Sequence, residues 1–327
     1  MSTTQDAPTT RQPTALDVVE LACQAPSVHN TQPWMWRVNG STLELYADLR
    51  RLLTATSPLG HGLVVSCGAA LHHAQVAALG LGWQPDVTRL PEGPDSDLLA
   101  RIVLTPTHRT PEHLAALEAL RERRTDRRRF TSWPVPEGRL AELADTAERW
   151  GVIATPVTTI AQRCQVEELL ARALETQSED PRLALEQSAW IDHGTHDGVP
   201  SAVVPNRIQR AASRKSRFGP GLLEDTDHEV QSTDGLIVIG TVVDDRAAWL
   251  CAGEALSALW LDATAGGLSV VPLSQPIEVP DTRGALQRDV LVSLAVPHVL
   301  VRIGWPAISR TALPPVPRRP LDEVLRT

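Results

Sequence analysis

GAALHHAQVAALGLG, residues 68 to 82, and GEALSALWLDATAGG, residues 253 to 267, are two versions of one helix set 185 residues apart. Gly68, Ala70, Leu71, Ala78 and Gly82 align with Gly253, Ala255, Leu256, Ala263 and Gly267. Alanine and leucine favour helix, the closing glycine supplies a left-handed stop, and small residues along the face let another element approach closely. Strand candidates flank both copies. Leu43 to Ala47 and Leu236 to Val243 precede them, and LLARIVLTP and VLVRIGWP follow, each with an internal arginine (Arg101, Arg302) and each ending at a proline (Pro106, Pro306). Two Ala-rich helices can look alike by chance, but matching strands on both sides favour one α+β unit used twice.

The duplication sets the expected organisation. A Thr/Pro/His connector from Thr105 to Pro111 divides a first half, residues 15–111, from a second, residues 112–327, behind a polar tail over residues 1–14 that reads as disordered. Residues 192–221, with glycine, proline and a basic middle, have no counterpart in the first half and read as a candidate lid.

Charge and composition exclude several classes. The 327 residues carry a formal charge of −8, with pI ≈ 5.7, which is the wrong sign for a general nucleic-acid binder. Cys23, Cys67, Cys164 and Cys251 are too scattered for a zinc ribbon or a dithiol motif and read as small core residues of a reducing compartment. No apolar run approaches the roughly 20 residues of a bilayer span and the N-terminus has no signal-peptide pattern, so a soluble, cytoplasmic protein without a membrane partner is expected.

Four stretches carry chemistry. In APSVHNTQPW, residues 25 to 34, Pro26 and Pro33 fix the backbone while Ser27, Asn30 and Gln32 offer compact donors and acceptors; a capped turn is the plain alternative. RERRTDRRRF, residues 121 to 130, is either a solvated helix end or a phosphate clamp built on Arg123, Arg124, Thr125 and Arg127. SVVPLSQPIEVP, residues 269 to 280, reads as a strand entering a proline-bounded loop, and PRRPLDEV, residues 317 to 324, as a polyproline tail with two arginines.

Together these resemble the nitroreductase-like FMN flavoproteins. APSVHNTQPW meets every fixed letter of the A-P-S-x-x-N-x-Q-P-W loop that touches FMN there. RRTDRRRF is similar to the R-R-S-x-R-x-F phosphate motif, with Thr125 in the serine place and Phe130 one residue late. The helix predicted from Pro136 to Trp150 follows as in that family. RRPLDEV matches the ending whose basic residue returns to the phosphate, which points to Arg319 first and Arg318 next. The P-I-E segment is similar to a loop of that family at the flavin's reactive edge, which would put Ile277 and Glu278 there, although Val279 replaces a frequent glycine.

The resemblance implies an FMN-dependent nitroreductase-like α+β fold duplicated in one chain, with mixed, mostly antiparallel sheets flanked by helices and closed as an intramolecular pseudo-dimer. This is the Acg-type arrangement. One FMN site is then expected, with Pro26, Ser27, Val28, Asn30 and Gln32 facing Arg123, Arg124, Thr125, Arg127, Ile277, Glu278, Arg318 and Arg319. The other site is expected to be degenerate: the first half has only Arg11 upstream of its loop, and the second has Val152 to Pro156 where a ring-binding loop would fall. NAD(P)H would be a transient reductant and a nitroaromatic or quinone-type small molecule the acceptor, with the flavin carrying the chemistry and no side chain an obligatory acid or base. A lidded flavin-sequestering protein is the alternative. FAD is disfavoured by the lack of G-x-G-x-x-G. A fused pseudo-dimer can be a monomer or a homodimer.

The remaining candidates are weaker. His193 and His196 lack a defined third metal ligand. His72 and His73 are adjacent on a helix, so they face apart and read as packing or surface residues. His29 reads as a loop or surface imidazole, and Trp34 and Trp36 as core.

Overall fold

The computed structural model describes residues 12–206, 221–223, 234–307, 311 and 313–326. The expected tail therefore falls almost wholly outside the described residues, as does much of the candidate lid.

The first sheet is built from β1 (Trp34–Asn39), β2 (Thr42–Ala47), β3 (Trp83–Arg89) and β4 (Leu98–Pro106), in the order β1-β2-β4-β3. The second comprises β5 (Ile153–Pro156), β6 (Gly235–Thr241), β7 (Ser269–Leu273) and β8 (Val296–Gly304), in the order β5-β6-β8-β7. Every pairing is antiparallel, and the two orders correspond strand for strand. The uninterrupted apolar run of β6 is buried along its whole length, as a strand covered on both faces must be. β3 carries Asp86, Arg89 and the non-donating Pro85, which suits its place on the sheet edge.

The helices are α1 (Ala15–Ala22), α2 (His61–Leu81), α3 (Pro111–Glu122), α4 (Glu137–Glu148), α5 (Ile160–Glu179), α6 (Pro181–Ala189), α7 (Arg246–Ala265), the short α8 (Gln275–Glu278) and α9 (Pro280–Ala285), and α10 (Leu321–Val324). Their ends obey local rules. Asp245 accepts from Ala248 N at 2.8 Å to start α7, Pro111 occupies the first turn of α3, and Gly82 ends α2 at φ +91°. The sequence-expected loop at Pro276 to Glu278 is instead this single turn of helix α8: Pro276 fits a first helical turn, and Ile277 N and Glu278 N both donate to Ser274 O.

α2 and α7 cross at the centre. A Cβ on Gly68 would lie 2.1 Å from Leu250 O, and one on Gly253 would lie 2.0 Å from Val65 O and 2.8 Å from the Gly68 Cα. The glycines that align in the sequence thus touch in the fold. Nearby, the fully buried Glu254 of α7 is held by Arg89 at 2.7 and 2.8 Å and by Gln75 at 2.8 Å. This buried carboxylate ties the two sheet systems together, since leaving it unpaired would be costly. At 21 residues α2 is long and apolar enough to cross a membrane, contrary to the sequence expectation, yet 83% of its apolar window is buried inside the protein. Cys23 and Cys67 are buried as expected, whereas Cys164 is exposed on α5, a helix whose outer face is polar.

Trp34 and Trp36 are fully buried in the first core around α2, while Trp260 anchors the second around α7. A third core gathers Phe130, Val166, Leu236 and Leu300 under α5.

Candidate functional site

A cleft with two joined compartments lies where α2 and α7 meet the second sheet. The wider compartment, about 1220 Å³ counted out to its opening, has walls from Val28 and Val65 on one side and Leu256, Trp260, Val271, Leu273 and Ile277 on the other. The narrower, about 630 Å³, is lined by Arg123, Arg124, Arg127 and Arg318 and, among the described residues, by no carboxylate. Pro26, Ser27, Thr125 and Arg127 border both. An apolar slot opening into a basic pocket is the shape of a site for a flat ring with an anionic tail.

The loop over residues 26–32 forms the seam. His29, Asn30 and Gln32 all have positive φ, +49°, +55° and +48°, a conformation that non-glycine residues hold only when their surroundings impose it. Ser27 Oγ accepts from Gln32 N at 2.9 Å, Thr31 Oγ1 donates to Val28 O at 2.9 Å, and Val28 N donates to Ser66 Oγ at 3.2 Å. Asn30 Nδ2 donates to Gly198 O and Pro317 O at 2.9 and 3.0 Å. Gln32 Nε2 donates to His196 O at 2.8 Å, and its Oε1 accepts from Arg319 N at 2.8 Å. The loop's amides are therefore bound to the described part of the candidate lid and to the C-terminal segment.

The arginines divide into paired and unpaired groups. Arg128 forks onto Asp126 at 2.8 Å through two nitrogens and is structural. Arg319, ranked first from sequence, borders neither compartment: it lies 3.6 Å from Asp48 and donates to Gln32 O at 3.1 Å and Glu323 O at 2.7 Å. Arg318 and Arg123 border the basic pocket instead. Each donates to Gln24 O, at 3.1 and 3.0 Å, and Arg123 stacks over Trp260 at 4.7 Å. Arg123 Nε and Nη1 and Arg318 Nε are buried without a partner, and no carboxylate forms an ion pair with either among the described residues. Burial and then mutual repulsion push the Arg123 guanidinium well below its ordinary range; burial pushes Arg318 down to about 10. A buried cation without a counter-ion costs several kcal/mol, and two side by side fit a dianion such as a phosphate monoester.

Of the remaining expected residues, Val28, Ile277 and Glu278 line the wide compartment, and Asn30 and Arg124 the basic one. Gln177 Nε2 donates to Glu278 Oε2 at 2.6 Å. Gln32, like Arg319, is part of the scaffold. Phe130 lies under the Arg302 guanidinium at 4.2 Å and packs on Gly304.

Sequence reasoning passed over His61 and His298, both of which line the wide compartment; the available signal was an isolated histidine in the otherwise apolar AVPHVLV, residues 295 to 301. His29 is buried against the cleft, not on the surface. His72 and His73 are packing residues, one of the two expected readings, but their rings do not face apart. Both are buried between α2 and α7, and both Nδ1 atoms reach Ser257 Oγ, at 2.7 and 2.8 Å, because the facing helix supplies one hydroxyl between two rings. Among the described residues no cluster of histidine, cysteine and carboxylates is arranged to hold a metal.

These imidazoles predict an acid sensitivity. Burial holds His61 and His72 down to about 3 and His298 to about 4, with repulsion from Arg283 adding to His61 and His298. Folded-state values below the ordinary 6.5 mean that the unfolded chain takes up protons first. Stability is thus fully present above pH 6.5 and is lost as pH falls from there toward 4, by up to about 1.4 kcal/mol per pH unit per imidazole. A urea midpoint clearly lower at pH 5 than at pH 7 is expected; equal midpoints would show that these rings are not held neutral.

Two antiparallel four-stranded sheets around a crossed helix pair, with an apolar slot opening into an arginine pocket, define an α+β protein built to hold a planar, anionic ligand. Sequence comparison supplies the family. A Mycobacterium tuberculosis H37Rv protein named as an inferred NAD(P)H nitroreductase, Rv3131, is 39% identical over 316 residues, spanning 95% of this chain and 91% of the relative. The protein of that organism named as an inferred NAD(P)H nitroreductase, acg, is 33% identical over 321 residues, with 94% and 93% covered. The chain belongs to this nitroreductase-like family, together with its Acg-type members. No family model matches the sequence. Solved structures similar to it include the FMN-dependent nitroreductase NfnB of Mycobacterium smegmatis in complex with NADPH, at 17% identity, TM-score 0.43, and 65% and 97% coverage of this chain and that one. An inferred nitroreductase of Anabaena variabilis is 9% identical, with TM-score 0.47 and 90% and 88% coverage.

Proposed function

We propose that this protein binds one FMN per chain and uses it as an NAD(P)H-dependent oxidoreductase of nitroaromatic or quinone-type small molecules. The observation that carries the reading is the pair of buried, uncompensated guanidiniums of Arg123 and Arg318 beside an apolar slot. A flavin phosphate supplies the missing negative charge. Arg123, Arg124, Arg318 and the Thr125 hydroxyl would hold it, while Pro26, Val28, Leu256, Trp260 and Ile277 wall the ring and exclude water. When bound, the flavin supplies hydride or electron transfer, which no side chain here can provide.

The chain is also read as two copies of one unit, dividing near Pro111 and closed as an internal pseudo-dimer. The matching strand orders and the Gly68–Gly253 contact support this. A single site follows, because the pocket's arginines come from the second half and the seam loop from the first. Flavin absorbance against protein concentration is expected to saturate at one FMN per chain. Two would overturn the single-site reading, and none would overturn FMN binding.

A storage role is favoured by one observation: Gly198 and His196 of the candidate lid take the amide donors of Asn30 and Gln32, covering the loop from outside. Anaerobic NADPH separates the two. Bleaching of the bound flavin, with turnover on a quinone, supports the oxidoreductase; flavin that no nicotinamide reduces sinks it in favour of storage.

A further inference from the structure

The wide compartment holds a hydrogen-bonded chain whose polarity is fixed by its far end. Thr241 Oγ1 donates to Val243 O at 2.5 Å, and a carbonyl can only accept. The contact of His298 Nε2 with the same hydroxyl, at 2.6 Å, must therefore carry its hydrogen on the histidine. His298 Nδ1 is then the bare nitrogen, as its 3.3 Å contact with the always-protonated Arg283 Nη2 also requires. His61 Nε2 lies 3.1 Å from that same Nδ1 and so must donate to it. Arg283 is anchored by Asp244 at 2.9 and 3.1 Å, and the His61 ring stands edge-on to Trp249 at 5.3 Å. Beside Arg283 and largely buried, His61 stays neutral, which leaves its Nδ1 a lone pair to which no described residue donates.

We infer that His61 Nδ1 is a fixed hydrogen-bond acceptor on the cavity wall, and that the substrate group beside it is a neutral one presenting an N–H or O–H donor. A carboxamide or a phenol meets that requirement; a carboxylate, ester or ether does not, because it would set acceptor against acceptor. This deepens the reading above and rests on the His61 end of the wide compartment being left to the substrate when the flavin ring lies between Val28 and Trp260. The carboxamide would come from a nicotinamide reductant and the phenol from a quinol-type partner. His61 is the contacting residue; His298 and Thr241 are positioning residues that set its polarity.

The test is calorimetric binding of two matched probe pairs to the purified protein: nicotinamide against methyl nicotinate, and hydroquinone against 1,4-dimethoxybenzene. The donor probe is expected to bind about fivefold tighter than its partner in at least one pair, the worth of one neutral hydrogen bond. That pair identifies the source of the group. His61→Phe keeps a ring and removes the acceptor, so the gap should fall below about twofold. Thr241→Val combined with Arg283→Leu leaves His61 in place and removes both groups that fix the His298 tautomer, so the chain is free to reverse and the gap should shrink there too. No gap in either pair, including no binding at all, overturns the inference. So does a gap unchanged in His61→Phe or, where that variant does not fold, in the Thr241→Val, Arg283→Leu double variant. The gap is readable on protein that holds no flavin, so failure of the FMN reading and failure of this one are separate results.

Discussion

Arg123→Met is expected to weaken FMN binding about 10- to 100-fold while making the flavin-free protein more stable. The two effects have one cause. In the flavin-free fold the Arg123 guanidinium is buried with two nitrogens unpartnered and Arg318 beside it. The stacking on Trp260 and the bond to Gln24 O return part of the desolvation cost but not all of it. Methionine keeps the volume and removes the charge, which should raise flavin-free stability by about 1 kcal/mol or more. With phosphate present the sign reverses, since a charge-assisted hydrogen bond contributes about 1.5–3 kcal/mol and each 1.4 kcal/mol is tenfold in affinity. Arg124→Met is the comparison: that side chain is exposed and already donates to Arg121 O and Arg123 O, so a smaller affinity loss and no stability gain are expected. Flavin titration and urea unfolding of both variants check this. A less stable Arg123→Met protein with unchanged FMN affinity would refute the anion-pocket assignment.

Gly253→Ala is expected to destabilise the fold severely for so small a substitution. In an ordinary helix alanine is favoured over glycine by about 1 kcal/mol. Here the new methyl would lie 2.0 Å from Val65 O and 2.8 Å from the Gly68 Cα, so the two central helices must move apart. A loss of about 3 kcal/mol is expected, or about 4 °C in Tm for a chain of this size. FMN affinity should fall with it, because α2 and α7 carry facing walls of the slot. Gly267→Ala, where a methyl meets nothing within 4 Å and only the +77° φ is strained, should cost about 1 kcal/mol. Equal losses at the two sites would mean that the helix crossing is looser than the structure shows.

Much of this was legible in the chain. The repeat located the crossing, since a glycine recurring in an Ala/Leu helix marks a place where something must come close, and Gly68 and Gly253 are each other's contact. The turn chemistry of residues 25 to 34 and the charge density around Arg123 marked both sides of the cleft. Where the reading went astray, the deciding group was remote in sequence. Arg318 and Arg319 are equivalent as letters, yet Asp48 and Gln32 claim one and leave the other facing the pocket. His72 and His73 face apart along their own helix and were brought onto one hydroxyl only by the helix packed against them.

The sequence by itself determined the elements, the likeness of two segments 185 residues apart and the residues able to grip an anion, because propensity, capping and charge are local properties. Only the tertiary structure decided which arginines remain uncompensated and which histidine offers a lone pair to the cavity. Both depend on groups hundreds of residues apart, such as His61 and His298 or Asn30 and Arg318, whose hydrogen bonds exist only after the chain has folded.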